Sequence, residues 1–147
     1  MTVKEQLIQV RNQECMVRAY EDELGELRRR AYNISSPKMA DKVQSNHQSS
    51  LEDIVEKLDA QARKVNEAWD TLICMRDEAE ALINLEEDMQ RRCVLYRYYI
   101  ICQSWEQIAV DMHFSIRWIT KLHGRALQDL EKEFHKVPIS SKENRVE

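Results

Sequence analysis

The chain has 147 residues, of which 33% are charged, and its formal net charge is −4. This length fits one ordinary domain or a small domain with an elongated arm, and the overall charge by itself predicts no nucleic-acid partner. Two glycines and two prolines leave little material for turns, which favours an all-α chain.

The charge is distributed unevenly along the chain. Residues 1–90 hold 12 Lys and Arg against 19 Asp and Glu, a net charge of −7. Residues 91–147 hold 10 against 7, a net charge of +3. We therefore expect the two parts to do different jobs.

Several classes of protein are disfavoured. Four cysteines show no CxxC pair and no histidine at zinc-finger distance, so we expect reduced thiols and no metal: Cys15, Cys74, Cys93 and Cys102. A secretion signal and a membrane span are both missing from the sequence pattern, so we expect a cytoplasmic protein. No nucleophile–base spacing and no glycine-rich phosphate loop occur, so we expect neither an enzyme nor a cofactor.

Two long helices are predicted in the first part of the chain. Thr2 and Glu5 match a capping box that starts the first helix. Its apolar positions recur every seven residues up to Ala31, and a loop is predicted over residues 32–50. This loop either is mobile or lies against a partner. Ser49 or Ser50 then caps a second helix, which carries the strongest heptad pattern in the chain.

These helices are expected to fold into a coiled-coil-like antiparallel hairpin, residues 1–83. A two-helix hairpin buries few apolar side chains per residue. We therefore expect this hairpin to be a dimerisation arm and the protein to be a homodimer. After a break near Asn84, a more fully buried helix is predicted over residues 91–101, and residues 135–147 are predicted to be a disordered tail.

The segment from Ser104 to Leu127 matches a helix-turn-helix. Ser104 with Gln107 caps its first helix, and Ser115 caps its second. His113 stands at the turn where glycine is usual, and histidine tolerates the positive φ that the turn needs. The core positions hold the expected apolar types: Ile108, Ala109, Met112, Phe114, Ile119 and Leu122.

This arrangement assigns roles on DNA to the second helix, about residues 116–130. The predicted base contacts in the major groove are Ile116, Arg117, Thr120 and Lys121. The predicted phosphate contacts are Ser115, Trp118 and Arg125, together with Arg91, Arg92 and Arg97 on the preceding helix. The helical segment "FSIRWITKLHGRALQ" has no acidic residue, which favours DNA over a merely solvated face. Gly124, in the middle of this helix, indicates close approach of another backbone.

The quoted motifs resemble those of a known family. The stretch from Leu95 to Lys132 resembles the fourth region of bacterial sigma-70 factors. Residues 1–134 resemble the sigma-70-region-4-like late-gene activators of phages and prophages of Gram-positive bacteria, the ArpU and RinA group. The matching segments are Ile34–Pro37, Asp41–Gln44, Ser104–Ala109, Ser115–Trp118 and Leu122–Leu127.

The resemblance implies a C-terminal DNA-binding domain, residues 84–134. It also implies activation of phage late genes in the bacterial host cytoplasm, with double-stranded DNA and bacterial RNA polymerase as partners. Cys102 stands where the family often has glycine, which predicts a strained helix end, and Tyr98 stands where it often has arginine. Two alternatives stay open: a DNA packaging-site protein like a small terminase subunit, and a coiled-coil adaptor whose helix-turn-helix does not bind DNA.

Overall fold

The structure is a computed structural model that describes residues 1–35 and 44–136, apart from the side chains of residues 44–49. These residues form helices and no strand, which confirms the all-α prediction. The helices are α1 (Val3–Ser35), α2 (Gln44–Ile83), α3 (Met89–Leu95), α4 (Trp105–Met112) and α5 (Ile116–Lys136). None of the helices in these ranges is both long and apolar enough to cross a bilayer.

Local sequence predicts the start of α1 correctly but not its end. The capping box is confirmed, because the Glu5 carboxylate accepts from the Thr2 N–H at 2.8 Å and the Thr2 hydroxyl accepts from the Glu5 N–H at 3.2 Å. The predicted end near Ala31 is wrong, since α1 continues to Ser35. There the Ser35 hydroxyl donates to the Ala31 carbonyl at 3.0 Å, so a polar residue is accommodated inside the last turn.

The predicted loop 32–50 is therefore too long. α2 begins at Gln44, so Ser49 and Ser50 lie inside a helix and do not cap it. Serine is only moderately less favourable than alanine in a helix, and the long α2 tolerates a polar first turn. What remains of the predicted loop, residues 36–43, lies outside the described residues, as do residues 137–147 of the predicted tail. Residues 135 and 136 belong to α5.

Packing divides the chain into two compact units, which do not follow the predicted boundary at residue 84. One unit is residues 13–73. Within it the two helices run antiparallel, because the Gln13 side chain donates to the Ala68 carbonyl at 3.1 Å and the Gln61 side chain donates to the Tyr20 carbonyl at 2.9 Å. Its buried apolar residues recur at heptad-like spacing on both helices: Val17, Leu24 and Leu27, with Val65, Ala68 and Leu72.

The other unit combines Met1–Asn12 with the described residues from Cys74 onward. Val3 and Leu7 of α1 are fully buried in it, and the Val3 N–H donates to the Glu131 carboxylate of α5 at 3.0 Å. The predicted interruption of the helix near Asn84 is confirmed, because α2 ends at Ile83. Asp88 caps α3 by accepting from the Arg91 N–H at 2.9 Å. The start of α1 is thus part of the C-terminal packing unit.

The predicted helix over residues 91–101 contains an irregularity. A π-helical turn, Tyr96–Ile100, follows α3, and the Ile101 N–H donates to the Tyr96 carbonyl at 3.1 Å. Cys102 then has φ 63°, a left-handed backbone conformation. The strain predicted at this position is confirmed, because non-glycine residues pay a steric cost there.

Candidate nucleic-acid interface

A three-residue turn joins α4 to α5. Ser104 caps α4 through its hydroxyl, which accepts from the Gln107 N–H at 3.2 Å. The second half of the predicted box is not formed, since the Gln107 side chain instead donates to Asp111 at 2.8 Å. Ser115 caps α5 in the same way, accepting from the Trp118 N–H at 3.2 Å. Both predicted caps are confirmed.

The turn between these caps has the left-handed geometry expected for His113. Its φ is 60° and its ψ is 39°. The Phe114 N–H donates to the Ala109 carbonyl at 3.1 Å, and the His113 N–H donates to the Val110 carbonyl at 3.3 Å. This bond pattern is a Schellman motif, the usual way to end a helix at a left-handed residue. It turns the chain sharply enough for α5 to cross α4.

One face of α5 packs into the domain core. Ile119, Leu122, Ala126 and Leu130 are buried. Val94, Ile108 and Ala109 complete the cluster around Ile119 and Leu122, with Met112, Phe114 and Trp118 partly buried against it. The predicted core positions are therefore confirmed, and burial of this stripe fixes which side of α5 faces outward.

The four predicted base-contacting residues lie together on the outward side of α5. Ile116, Arg117, Thr120 and Lys121 are all exposed. Ile116 retains 46% of its accessible surface, a large value for an isoleucine. The Thr120 hydroxyl donates to the Arg117 carbonyl at 2.9 Å, which leaves that hydroxyl able only to accept. Their roles on DNA stay predictions.

The cations on this surface keep their charge unneutralised. Arg117, Lys121 and Arg125 make no ion pair with any residue that the structure describes, in contrast to Arg91, Arg97 and Lys136. An exposed cation without an acidic neighbour keeps its full attraction for an anionic partner. The outward side of α5 therefore carries three available positive charges.

Three of the predicted phosphate contacts flank this surface. Ser115 is exposed at the start of α5. Trp118 is half-buried and its ring lies edge-on to Phe114, with 6.5 Å between ring centres. The Arg125 guanidinium lies 5.7 Å from the centre of the Trp118 ring, within the range of a cation–π interaction. Trp118 thus limits the conformations of Arg125 without neutralising it.

The other three predicted phosphate contacts hold partners inside the protein. Arg91 pairs with Asp129. Arg92 donates to the Glu86 carbonyl through two nitrogens, at 2.9 and 2.6 Å. Arg97 pairs with Asp111 at 3.2 Å and donates to the Gln103 side chain at 3.3 Å.

These contacts favour a structural role for the three arginines over the predicted phosphate role. Arg91 and Lys132 line a pocket in which carboxylates outnumber the cations: Glu86, Glu87, Asp88, Asp129 and Glu133. A concave surface with that charge repels phosphate. Burial raises the pKa of Glu86, the least exposed of these acids.

The sequence did not predict a cluster of four aromatic side chains: Tyr98, Tyr99, Trp105 and His123. The Tyr98 and Trp105 rings stack, with 3.9 Å between their centres and 9° between their planes. His123 of α5 lies edge-on to Trp105 and hydrogen-bonds the Tyr99 hydroxyl at 2.7 Å. Burial lowers the pKa of His123 to about 4 and raises that of Tyr99. Neutral His123 is therefore a core residue that ties α5 to the π-helical turn.

Arg11 is a further residue whose contacts the sequence did not predict. Its guanidinium donates to the Tyr98 carbonyl at 2.7 Å and the Gln103 carbonyl at 3.1 Å, and it lies 4.0 Å from the centre of the Tyr98 ring. Carbonyls at the end of a helix lack intrahelical donors, and Arg11 supplies them. An isolated arginine in a heptad pattern gives no signal of such a role.

Gly124 is not explained by packing. The predicted close approach of another backbone is wrong, because nothing lies within 4 Å of the position that a Cβ atom would occupy. Gly124 is exposed, and among the described residues no glycine has positive φ. A glycine in a regular helix costs about 1 kcal/mol relative to alanine. No contact of Gly124 within the described residues compensates for this cost.

The described residues contain no group of three or more His, Cys, Asp or Glu side chains that would hold a metal ion. None of the four cysteines, all of which lie within the described residues, forms a disulfide. The candidate site is accordingly a surface of side chains on α5. Comparison of the chain with protein-family models, with curated proteins and with solved structures finds no match.

Proposed function

We propose that this protein is a sequence-specific DNA-binding transcriptional regulator and that the first turns of α5 enter the major groove. The observation that supports the proposal is the exposed side of α5, where Arg117 and Lys121 make no ion pair with any described residue while the opposite side is buried. A short turn joins α4 to α5, and α5 is a single helix whose opposite side holds it on the domain. The major groove admits one α-helix.

The side chains on α5 suit two kinds of contact. Arg117 and Lys121 donate to the O6 and N7 acceptors of guanine, and Ile116 packs on a thymine methyl group. Thr120 contributes its methyl group and an accepting hydroxyl oxygen. Ser115, Trp118 and Arg125 lie at the flank, where the sugar-phosphate backbone passes, and they position the helix without reading sequence.

The resemblance to the late-gene activators of phages extends the proposal to a role in the host cell. By that resemblance the protein activates late genes of a phage or prophage in the bacterial cytoplasm and contacts the host RNA polymerase. We also propose a homodimer formed through residues 1–83, which requires half-sites about 34–36 Å apart or at multiples of that distance. Sedimentation at micromolar concentration tests the dimer, and a compact monomer contradicts it.

The decisive experiment selects bound sites from random duplex DNA and measures affinity for the selected site at several salt concentrations. Arg117→Ala is expected to cost about 1–3 kcal/mol on the selected site and to relax preference at one base pair. Arg125→Ala is expected to weaken all sequences alike and to reduce the salt slope by about 1, because one phosphate contact is lost.

Arg63→Ala is the control for loss of an exposed cation outside this surface. Because Arg63 lies in the proposed dimerisation arm, the sedimentation of this variant is compared with that of wild type. Arg63→Ala is expected to leave affinity and salt slope unchanged. Equal, sequence-independent losses from Arg117→Ala and Arg125→Ala would contradict base reading by Arg117. If the wild-type protein shows no salt-dependent retention of any duplex, the protein is an adaptor and the proposed function is wrong.

A further inference from the structure

Gly124 is the ninth residue of α5 and lies in open space. Neither its backbone conformation nor a neighbouring side chain requires glycine. Alanine would stabilise the helix at this position. The absence of a side chain at Gly124 leaves α5 open to close approach by a group outside the described residues.

Helical geometry places Gly124 on the same line as the proposed base-reading residues. Arg117, Lys121, Gly124 and Gln128 are spaced by four, three and four residues, so they follow one another along the outward side of α5. Arg125, next to Gly124, adds a cation that is unpaired within the described residues. The surroundings of Gly124 are thus basic.

The distance along the helix matches the size of the groove. Gly124 lies seven residues beyond Arg117, which is about 10 Å at 1.5 Å per residue. The major groove is about 12 Å wide. A helix that places Arg117 against base edges therefore brings the turn containing Gly124 to the wall of the groove, where the sugar-phosphate backbone runs.

We propose that Gly124 is a positioning residue at which the DNA sugar-phosphate backbone packs directly against the backbone of α5. Any side chain would hold the helix away from the groove by the thickness of its Cβ or more. The inference rests on the proposed function. The cations at Arg117, Lys121 and Arg125 favour a phosphate backbone over a second helix as the group that approaches.

The test replaces Gly124 with Ala and with Leu, two strong helix formers of increasing size. Gly25→Ala and Gly25→Leu are matched controls, because Gly25 also lies within a helix with nothing within 4 Å of its Cβ position. Gly25 lies in the unit of residues 13–73, away from α5 in the chain. Fluorescence anisotropy measures affinity for the selected duplex, and circular dichroism measures the thermal midpoint.

Both alanine variants are expected to raise the thermal midpoint by a few degrees. Gly124→Ala is expected to weaken DNA binding relative to wild type about threefold and Gly124→Leu about tenfold or more. The Gly25 variants control for the gain in helix stability alone, because Gly25 lies in the proposed dimerisation arm. The salt slope should stay unchanged in every variant, because no charge is removed. This combination separates a steric contact from loss of a phosphate-binding cation.

Wild-type affinity in Gly124→Leu would overturn the inference while leaving the proposed function intact. Altered sedimentation of the Gly124 variants with unchanged DNA affinity would also overturn it and would place a protein at this position. If wild type itself fails to retain DNA, the proposed function is wrong and the inference fails with it. Since alanine and leucine both favour helix, the two variants test the contact without removing the fold.

Discussion

Two non-glycine residues before and after α4 adopt left-handed backbone conformations. Cys102 has φ 63° and His113 has φ 60°. The side chain of a non-glycine residue costs about 1–2 kcal/mol in this region, because Cβ approaches the following carbonyl. Both positions end a helical segment, so the cost is offset by the capping hydrogen bonds that the turn makes possible.

Glycine is expected to relieve this strain. Cys102→Gly and His113→Gly should each raise the free energy of unfolding by about 0.5–1 kcal/mol, the steric relief being reduced by the greater freedom of glycine in the unfolded chain. Urea unfolding followed by circular dichroism measures the change. Cys93→Gly is the control, since Cys93 lies in regular helix and should lose about 1 kcal/mol. Destabilisation by His113→Gly would contradict the left-handed turn.

His123 gives the core a defined pH dependence. Burial, with a smaller effect of Lys4, lowers its pKa in the folded protein to about 4. In the unfolded chain the pKa of the same group is about 6.5. Between these values the unfolded state binds more protons than the folded state, so stability falls as pH decreases through this window.

His123→Gln should remove this part of the pH dependence, because glutamine stays neutral and can still bond the Tyr99 hydroxyl. Urea midpoints at pH 7.5 and pH 5 measure the effect as the difference between wild type and variant. Tyr99→Phe is the control: it removes the hydrogen bond but keeps His123 buried, so most of the pH dependence should remain. The same loss of stability on acidification in wild type and His123→Gln would contradict the assignment.

At the scale of elements, the end of the π-helical turn depends on α1. Arg11 donates to the Tyr98 and Gln103 carbonyls from a part-buried position. Hydrogen bonds that involve a charged group are stronger than those between neutral groups. Without Arg11, both carbonyls would lose this charged donor. The first turns of α1 thereby hold the segment that leads into α4.

Arg11→Ala is expected to lower the free energy of unfolding by about 2 kcal/mol. Arg29→Ala is the matched control on the same helix, because Arg29 pairs with Glu26 at a largely exposed position and should cost about 0.5 kcal/mol or less. Chemical denaturation followed by tryptophan fluorescence measures both. Equal effects of the two substitutions would show that the Arg11 contacts do not stabilise the domain.

At the scale of the whole molecule, the unit that carries α5 is assembled from both ends of the chain. Val3 and Leu7 are fully buried in this unit, and so are Ala79 and Ile83 near the end of α2. A cut at residue 84, where the sequence predicts a domain boundary, removes all four. Each buried aliphatic side chain larger than alanine contributes about 1.5–3 kcal/mol.

A fragment of residues 84–147 should therefore lose several kcal/mol, a large part of the roughly 5–15 kcal/mol that stabilises an ordinary domain. We expect a thermal midpoint well below that of the full chain and partial unfolding at 37 °C, measured by circular dichroism. The full chain under the same conditions is the reference. A fragment that melts at the same temperature as the full chain would show that residues 84–136 fold without the start of α1.

Composition predicts the all-α class, and local spacing predicts the caps at Thr2, Ser104 and Ser115, the break before α3, the turn at His113 and the inward face of α5. The local features depend on residues a few positions apart, and such spacing is directly visible in one dimension. The sequence did not reveal that α1 starts in the C-terminal unit, nor what Arg91, Arg92 and Arg97 bind. It also gave no signal of the His123–Tyr99 pair.

These contacts depend on the three-dimensional fold, because their partners lie far apart along the chain. The Val3–Glu131 hydrogen bond spans 128 residues and the Arg11–Tyr98 bond spans 87. A charged or polar side chain finds such a partner through packing in three dimensions, and periodicity carries no record of it. The same packing leaves Arg117 and Lys121 without acidic partners among the described residues, whereas Arg91, Arg92 and Arg97, which the sequence predicts as phosphate contacts, bond to groups of the protein itself.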